Sequence, residues 1–299
     1  MYVVLGASGN TGHIVAENLL ARGQKVRVVG RDEAHLKTLA AQGAQIFIGD
    51  VTNAASLSLA FHKADAAYVM IPPNPTSNDF RGYQETVSDA ISTAAKNVGL
   101  KNIVSLSSFG ADKETGTGPV AGLYRLEQKL NQLESSNVLH LRAGYFMENT
   151  LPQAVAIRMT GSVMGPLTPD LKLPLIASRD IGAAAAEALL RLDFSGKQIQ
   201  ELQGQRDLDY TQVAAIIGKA IGKPALGYMQ VPDDQFRAAL IQMGMSENFA
   251  GLMLEMTTAL NQGHMRALQP RGPGNTTPTS FETFVADSFV PAYQQQAAA

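Results

Sequence analysis

An α/β fold, a doubly wound parallel sheet followed by a smaller C-terminal α/β lobe, is predicted by three observations. A glycine-punctuated turn, Gly6-Ala7-Ser8-Gly9-Asn10-Thr11-Gly12, separates an apolar run from a helical pattern at the start of the chain. Short apolar runs then alternate with amphipathic stretches as far as residue 142, and beyond it the regular alternation fades. Parallel strands need crossovers that cover both faces of the sheet, so they read as continuous apolar runs. Right-handed crossovers give the Rossmann strand order 3-2-1-4-5-6. The chain is expected to divide into a sheet domain over 1–150 and a smaller lobe over 151–299.

In order, strands are predicted at 2–5, 25–29, 45–48, 66–71, 102–106 and 138–142, and helices at 11–22, 33–41, 54–61, 80–98 and 120–135. Gly23, Gly43 and Gly99 stand where three of these helices stop, as left-handed caps do. Further on come a helix over 180–192 with an alanine-rich face, a strand near 198–202, and a helix over 211–221 with Thr211 as N-cap and Gly222 as its stop. Helices over 233–243 and 246–263 follow. On the last of them Leu252, Met253, Met256 and Leu260 form one stripe, either a core face or a pliable substrate wall. Residues 294–299 read as a frayed tail.

The composition, 45% hydrophobic and 17% charged, is that of a folded globular chain rather than a disordered one. A net charge of −2 offers no basic field for nucleic acid or an anionic membrane. With no cysteine, disulfides, zinc-thiolate sites, iron–sulfur clusters and thiol-based sensing are excluded. The five histidines lack metal-ligand spacing, so no metal is expected, and His140 inside a strand reads as structural. No apolar run is long enough to span a bilayer and no basic leader with a cleavage site is evident, so a cytoplasmic protein is expected.

The glycine turn carries the first chemistry. Backbone N–H groups at a helix N-terminus lack partners, and the helix dipole favours negative charge there. Glycine keeps a Cβ out of the way. The spacing is Gly-x-x-Gly-x-x-Gly rather than the commoner Gly-x-Gly-x-x-Gly. A bound dinucleotide is expected, with Gly6, Ser8, Gly9, Asn10, Thr11 and Gly12 around its diphosphate.

Ligands on such sheets bind outside the carboxyl ends of the strands, where the order reverses. After the second strand comes Gly30-Arg31-Asp32. A carboxylate that accepts from the ribose hydroxyls belongs about twenty residues past the turn, and that position falls at Gly30. Arg31 can pair with a 2′-phosphate through its fork of donors, and Asp32 reads as the N-cap of the next helix. NADP(H) is therefore favoured over NAD(H). Asp50 and Val51 end the third strand beside the expected adenine, where Asp50 either accepts from the adenine amino group or caps the helix beyond. Ile71 and Pro72 lead into a breaker-rich loop over 72–79, which like the loop over 109–119 is either a lid or a plain connection. Ser107 and Ser108 end the fifth strand, placed to hydrogen-bond a substrate carbonyl or the nicotinamide amide, or to serve as ordinary turn residues. Tyr145 and Phe146 follow the sixth strand near the nicotinamide, where they stack on an aromatic substrate or simply wall the pocket.

The assembled features resemble the NmrA-like branch of atypical short-chain dehydrogenase/reductase proteins. The likeness rests on the glycine turn, Val26-Arg27-Val28-Val29-Gly30-Arg31-Asp32, Gly49-Asp50-Val51 and Phe146-Met147-Glu148-Asn149. Asp180-Ile181-Gly182 and Gly222-Lys223-Pro224 look like later landmarks, and the likeness runs to about Phe289. It implies a Rossmann domain, a small C-terminal lobe and NADP(H), in a family of quinone-type reductases, isoflavone-type reductases and redox-sensing regulators without turnover. Reductases of the wider superfamily use a Tyr-x-x-x-Lys pair, in which the lysine lowers the tyrosine pKa and the phenol transfers a proton. Tyr124 lies in the corresponding helix, but Gln128 stands four residues on. Lys129, five along, is turned about 140° from the tyrosine. Some family members carry a lysine four residues before the glutamate matching Glu127, and that position is Leu123. Tyr124 and Ser107 remain the candidate catalytic residues.

The function expected from these features is an NADP(H)-dependent oxidoreductase that passes hydride to a small quinone-like or other conjugated acceptor. Such an acceptor delocalises the arriving charge and takes its proton from solvent, which suits a site without the tyrosine–lysine pair. The alternative is a non-catalytic sensor of NADP(H) against NADP+ that acts through a protein partner. A homodimer is compatible with either.

Overall fold

The computed structural model describes residues 1–295. Its sheet begins with β1 (Tyr2–Leu5), β2 (Val26–Gly30), β3 (Gln45–Ile48), β4 (Ala66–Val69), β5 (Asn102–Ser108) and β6 (Asn137–Ala143). These pair in parallel in the predicted order 3-2-1-4-5-6. Helices α1 (Asn10–Ala21), α2 (Lys37–Ala41), α3 (Ala54–Phe61), α4 (Phe80–Val98) and α5 (Val120–Asn131) make the crossovers. Val3 to Leu5 and Ala66 to Val69 are fully buried because helices cover both faces of the central strands.

After β6 the chain forms β7 (Tyr145–Phe146), α6 (Gln153–Thr160), β8 (Val163–Gly165), β9 (Leu173–Ile176), α7 (Ser178–Arg191) and β10 (Lys197–Leu202). The strand expected near 198–202 is β10, and it adds to the central sheet beside β6, with Leu202 opposite Ala143. It thereby pairs the backbone edge that β6 would otherwise leave open. Helix α7 returns with it and packs on α1 so closely that a Cβ on Gly182 would lie 2.6 Å from the Cβ of Ile14. The sheet therefore draws on residues well past 150.

The rest of the lobe comprises β11 (Asp207–Leu208), α8 (Tyr210–Ala220), β12 (Tyr228–Gln230), α9 (Asp233–Gln242), α10 (Glu247–Asn261), α11 (Phe281–Phe284), a π-helical turn over 285–289 and α12 (Val290–Gln295). Strands β7, β9 and β11 form one small sheet and β8 with β12 another, over a core that includes Phe281, Phe284 and Phe289. Asp209, not Thr211, caps α8. Its side chain accepts from the Gln212 N–H at 2.8 Å while the Gln212 side chain accepts from the Asp209 N–H at 3.2 Å. That reciprocal box needs a glutamine three residues past the cap, which Thr211 lacks. Residues 294 and 295 of the expected tail are helical, and 296–299 lie outside the described residues.

Both breaker-rich loops are held by α10 and neither is a free lid. Ser246, the N-cap of α10, donates to the Pro75 carbonyl at 2.9 Å through its N–H and to the Ser77 carbonyl at 2.6 Å through its hydroxyl. Phe80 packs edge-on against Phe249 at 4.8 Å, and Arg81 holds both oxygens of Glu255 at 3.0 and 2.7 Å. Gly118 lies so near α10 that a Cβ there would stand 2.0 Å from the Leu252 carbonyl. Leu252 and Leu260 of the stripe are buried.

Candidate cofactor and substrate site

Leaving β1, the chain turns at Gly6 with φ +65°, and the Gly9 N–H closes the turn on the Gly6 carbonyl at 2.9 Å. A Cβ on Gly12 would stand 2.3 Å from that same carbonyl, so the turn and the first coil of α1 can approach only through glycine. No side chain caps α1, which leaves its first N–H groups to a ligand. Ser8, Gly9 and Asn10 line a cleft of about 350 Å³, with Ser178 and Arg179 also in its wall. This cradle fits a diphosphate. The Thr11 hydroxyl oxygen accepts from the buried Tyr68 hydroxyl at 2.9 Å.

Arg31 and Asp50 both act electrostatically on the half-buried Tyr83 phenol, whose pKa burial raises, Arg31 lowers and Asp50 raises. The Tyr83 hydroxyl donates to the Pro72 carbonyl at 3.0 Å. Arg31, Asp50, Pro72 and Tyr83 thus lie near one another past the carboxyl ends of β2, β3 and β4. Tyr83 was not anticipated, although it lies in the first turn of the helix that leaves the binding edge. Arg31 is exposed, with no hydrogen bond or ion pair among the described residues, whereas Asp32 caps the following turn by accepting from the Ala34 N–H at 2.8 Å. Asn53 rather than Asp50 caps α3, accepting from Ser56 N–H at 3.0 Å, while Asp50 accepts from the Thr52 N–H at 2.9 Å in its own turn. Val51 and Ile71 pack into the core beneath.

Ser107 is drawn away from the cleft. Its hydroxyl donates to Glu127 Oε1 at 2.5 Å, and Arg142 clamps the same carboxylate through Nε at 2.9 Å and Nη2 at 2.6 Å. All three are buried. Ser108 is half-buried and donates to the Phe109 carbonyl at 3.0 Å. Lys129 reaches α4, where it pairs with Glu85 at 2.6 Å and with Asp89. Tyr124 is half-exposed and has no hydrogen-bond partner among the described residues. His140, between Ser105 and Asn131, has its pKa lowered to about 4 by burial and is structural.

The second cavity, about 490 Å³, opens in the lobe next to β7. Tyr145, Tyr210 and Tyr228 line it, with Met164, Met245 and Met253 among its apolar walls. Tyr145 and Tyr210 meet edge to face at 6.5 Å, and Tyr210 and Tyr228 lie 5.1 Å apart. Burial raises the Tyr145 pKa, and the neighbouring Tyr210 and Asn149 only partly oppose the rise. Burial, then the neighbouring Tyr145 phenol, raises that of Tyr210. Phe146 packs instead against the main sheet core. Of the predicted methionine stripe, Met253 faces the cavity. Tyr210 and Tyr228 were missed because they come from segments 65 and more residues beyond Tyr145, converging only through the small sheets. A larger open depression of about 740 Å³, with Met1, Lys25 and Lys101 in its walls, lies at the opposite edge of the sheet. Among the described residues no group of His, Asp and Glu could hold a metal ion, and no helix is long and apolar enough to cross a membrane.

Sheet order, glycine turn and cleft define a Rossmann-type protein of the NAD(P)-binding kind. Within that class the chain belongs to the NmrA-like family, whose profile matches residues 2–276. A relative from Xenophilus azovorans, an NAD(P)H azoreductase, is 30% identical over 258 residues, 86% of each chain. The crystal structure of an NADPH-dependent quinone oxidoreductase from Escherichia coli, complexed with NADPH, is similar with a TM-score of 0.80 at 25% identity, covering 98% of this chain and 100% of the other. NmrA, a negative transcriptional regulator solved with NADP, shares the fold at 17% identity with a TM-score of 0.73, covering 99% and 97%.

Proposed function

We propose that this protein is an NADPH-dependent oxidoreductase that reduces a flat, conjugated acceptor of the quinone kind seated in the tyrosine-lined cavity. The observation that carries the reading is the adjacency of two sites: the diphosphate cradle and the apolar cavity share Glu148 in their walls. The names of the azoreductase and quinone oxidoreductase relatives support it. The turn from Gly6 to Gly12 would hold the diphosphate, with Arg31, Asp50 and Tyr83 at the adenosine end. When bound, the nicotinamide supplies hydride. Tyr145, Tyr210 and Tyr228 orient the acceptor, and the apolar walls exclude water. Tyr145, in the cavity wall, donates its phenolic proton to the acceptor oxygen as negative charge develops there. The sequence alone left that proton to solvent; in this reading Tyr145 donates it.

Calorimetric titration with NADPH, followed by a quinone panel monitored through absorbance of the reduced nicotinamide, tests the proposal. Tight binding with oxidation above background is expected. Binding without turnover would favour the regulatory alternative acting through a protein partner, and absent binding would remove both. Tyr145→Phe should lower kcat at least about tenfold, toward the lower end of general-acid effects because a quinone spreads the charge, with NADPH affinity nearly unchanged. An unaltered kcat would return the proton to solvent. Arg31→Ala should weaken NADPH about 10- to 100-fold, the scale of hydrogen bonds to a charged group, and leave NADH nearly unchanged. NADPH affinity equal before and after the substitution would make Arg31 only a surface charge.

A further inference from the structure

Glu148 follows β7 in the short turn over Met147–Thr150 and reaches the start of α7. Its Oε1 accepts from the Ser178 N–H at 2.9 Å and from the Ser178 hydroxyl at 2.6 Å. Helix α7 has no side-chain cap of its own at Ala177, so Glu148 serves as its cap from a distance. One oxygen is thereby explained. The other, Oε2, is shielded from solvent and has no hydrogen-bond partner among the described residues. A buried carboxylate oxygen without a donor is costly, and such groups persist where something else supplies the donor. Among the described residues, Glu148 is also the one found in the walls of both the 350 Å³ cleft and the 490 Å³ cavity.

We infer that Glu148 is a ligand-binding residue whose Oε2 accepts a hydrogen bond from an N–H or O–H group at the junction of the two cavities. The inference rests on the proposed function, which places a dinucleotide on one side of Glu148 and an acceptor on the other. The donor belongs either to the dinucleotide or to the acceptor, and the two sources are separable.

Glu148→Gln is the decisive variant. Because the Ser178 N–H can only donate, the glutamine must keep its carbonyl toward Ser178. Its NH2 then replaces Oε2, setting donor against donor while the cap on α7 survives. Melting of the ligand-free variant within a few degrees of the parent checks the fold. NADPH affinity, measured by calorimetry without acceptor, should fall about 10- to 100-fold if the donor is on the dinucleotide, the range for a hydrogen bond to a charged group. If the donor is on the acceptor, NADPH affinity holds. The KM of an amino-substituted naphthoquinone then rises by a similar factor, and that of its methyl-substituted counterpart does not. Changes within about twofold on every arm would overturn the inference and leave Glu148 as a helix cap. Failure of the parent to bind NADPH would sink the proposed function instead, so the two failures are distinguishable.

Discussion

Glu127→Leu is expected to lower the unfolding free energy by about 3–5 kcal/mol, because removing one partner of a buried ion pair strands the other. Glu127 is 1% exposed and Arg142 7%. Both carboxylate oxygens are engaged by the guanidinium, and Oε1 also takes the Ser107 proton. Leucine would leave Arg142 with only the Ala111 carbonyl, 3.2 Å from Nη2, and would leave the Ser107 hydroxyl without its acceptor. The double variant Glu127→Leu/Arg142→Met should recover most of the loss, since an apolar pair of similar volume avoids the desolvation that makes a lone buried charge expensive. Urea denaturation with an unchanged m-value is the measurement. A single variant within about 1 kcal/mol of the parent would mean that the guanidinium finds other partners. A double variant as unstable as the single would locate the loss in packing rather than charge.

The same network explains why the catalytic reading of Ser107 could not be judged from sequence. A serine at the end of the fifth strand was legible. That its hydroxyl would be taken by a glutamate twenty residues on, itself clamped from the sixth strand, depends on the register that sets Ser107 opposite Arg142. The strand order, the glycine turn, the cap at Asp32 and the structural role of His140 were legible because each follows from local pattern or short-range chemistry. The place of β10 was not. A short strand of mixed polarity, Lys197-Gln198-Ile199-Gln200-Glu201-Leu202, says that it lies at an edge but not which edge it joins. The tyrosine cavity was hidden for a related reason. Tyr145, Tyr210 and Tyr228 belong to three segments, and no spacing in the chain records that they converge.

Gly9→Val should abolish dinucleotide binding, with more than about a hundredfold loss, while leaving the fold intact. These two effects normally travel together at glycine turns, and here the geometry separates them. Gly9 has φ −102° and ψ 177°, an extended conformation that valine adopts without strain. A Cβ there would meet only the Gly6 carbonyl, at 3.4 Å, an ordinary contact. The new side chain therefore projects into the cleft that Ser8 and Asn10 also line, where the diphosphate is expected. Gly12 is the contrasting case, since a Cβ there would collide with the turn itself, 2.3 Å from the Gly6 carbonyl. Gly12→Val should accordingly melt well below the parent, and its loss of binding would carry no information about where the phosphates sit. Gly9→Val should melt within a few degrees of the parent and show no heat on titration with NADPH. Retained affinity in a folded Gly9→Val protein would move the phosphate site off the N-terminus of α1. The Arg31 and Tyr145 assignments would then fall with it, because both depend on a dinucleotide that starts at this turn.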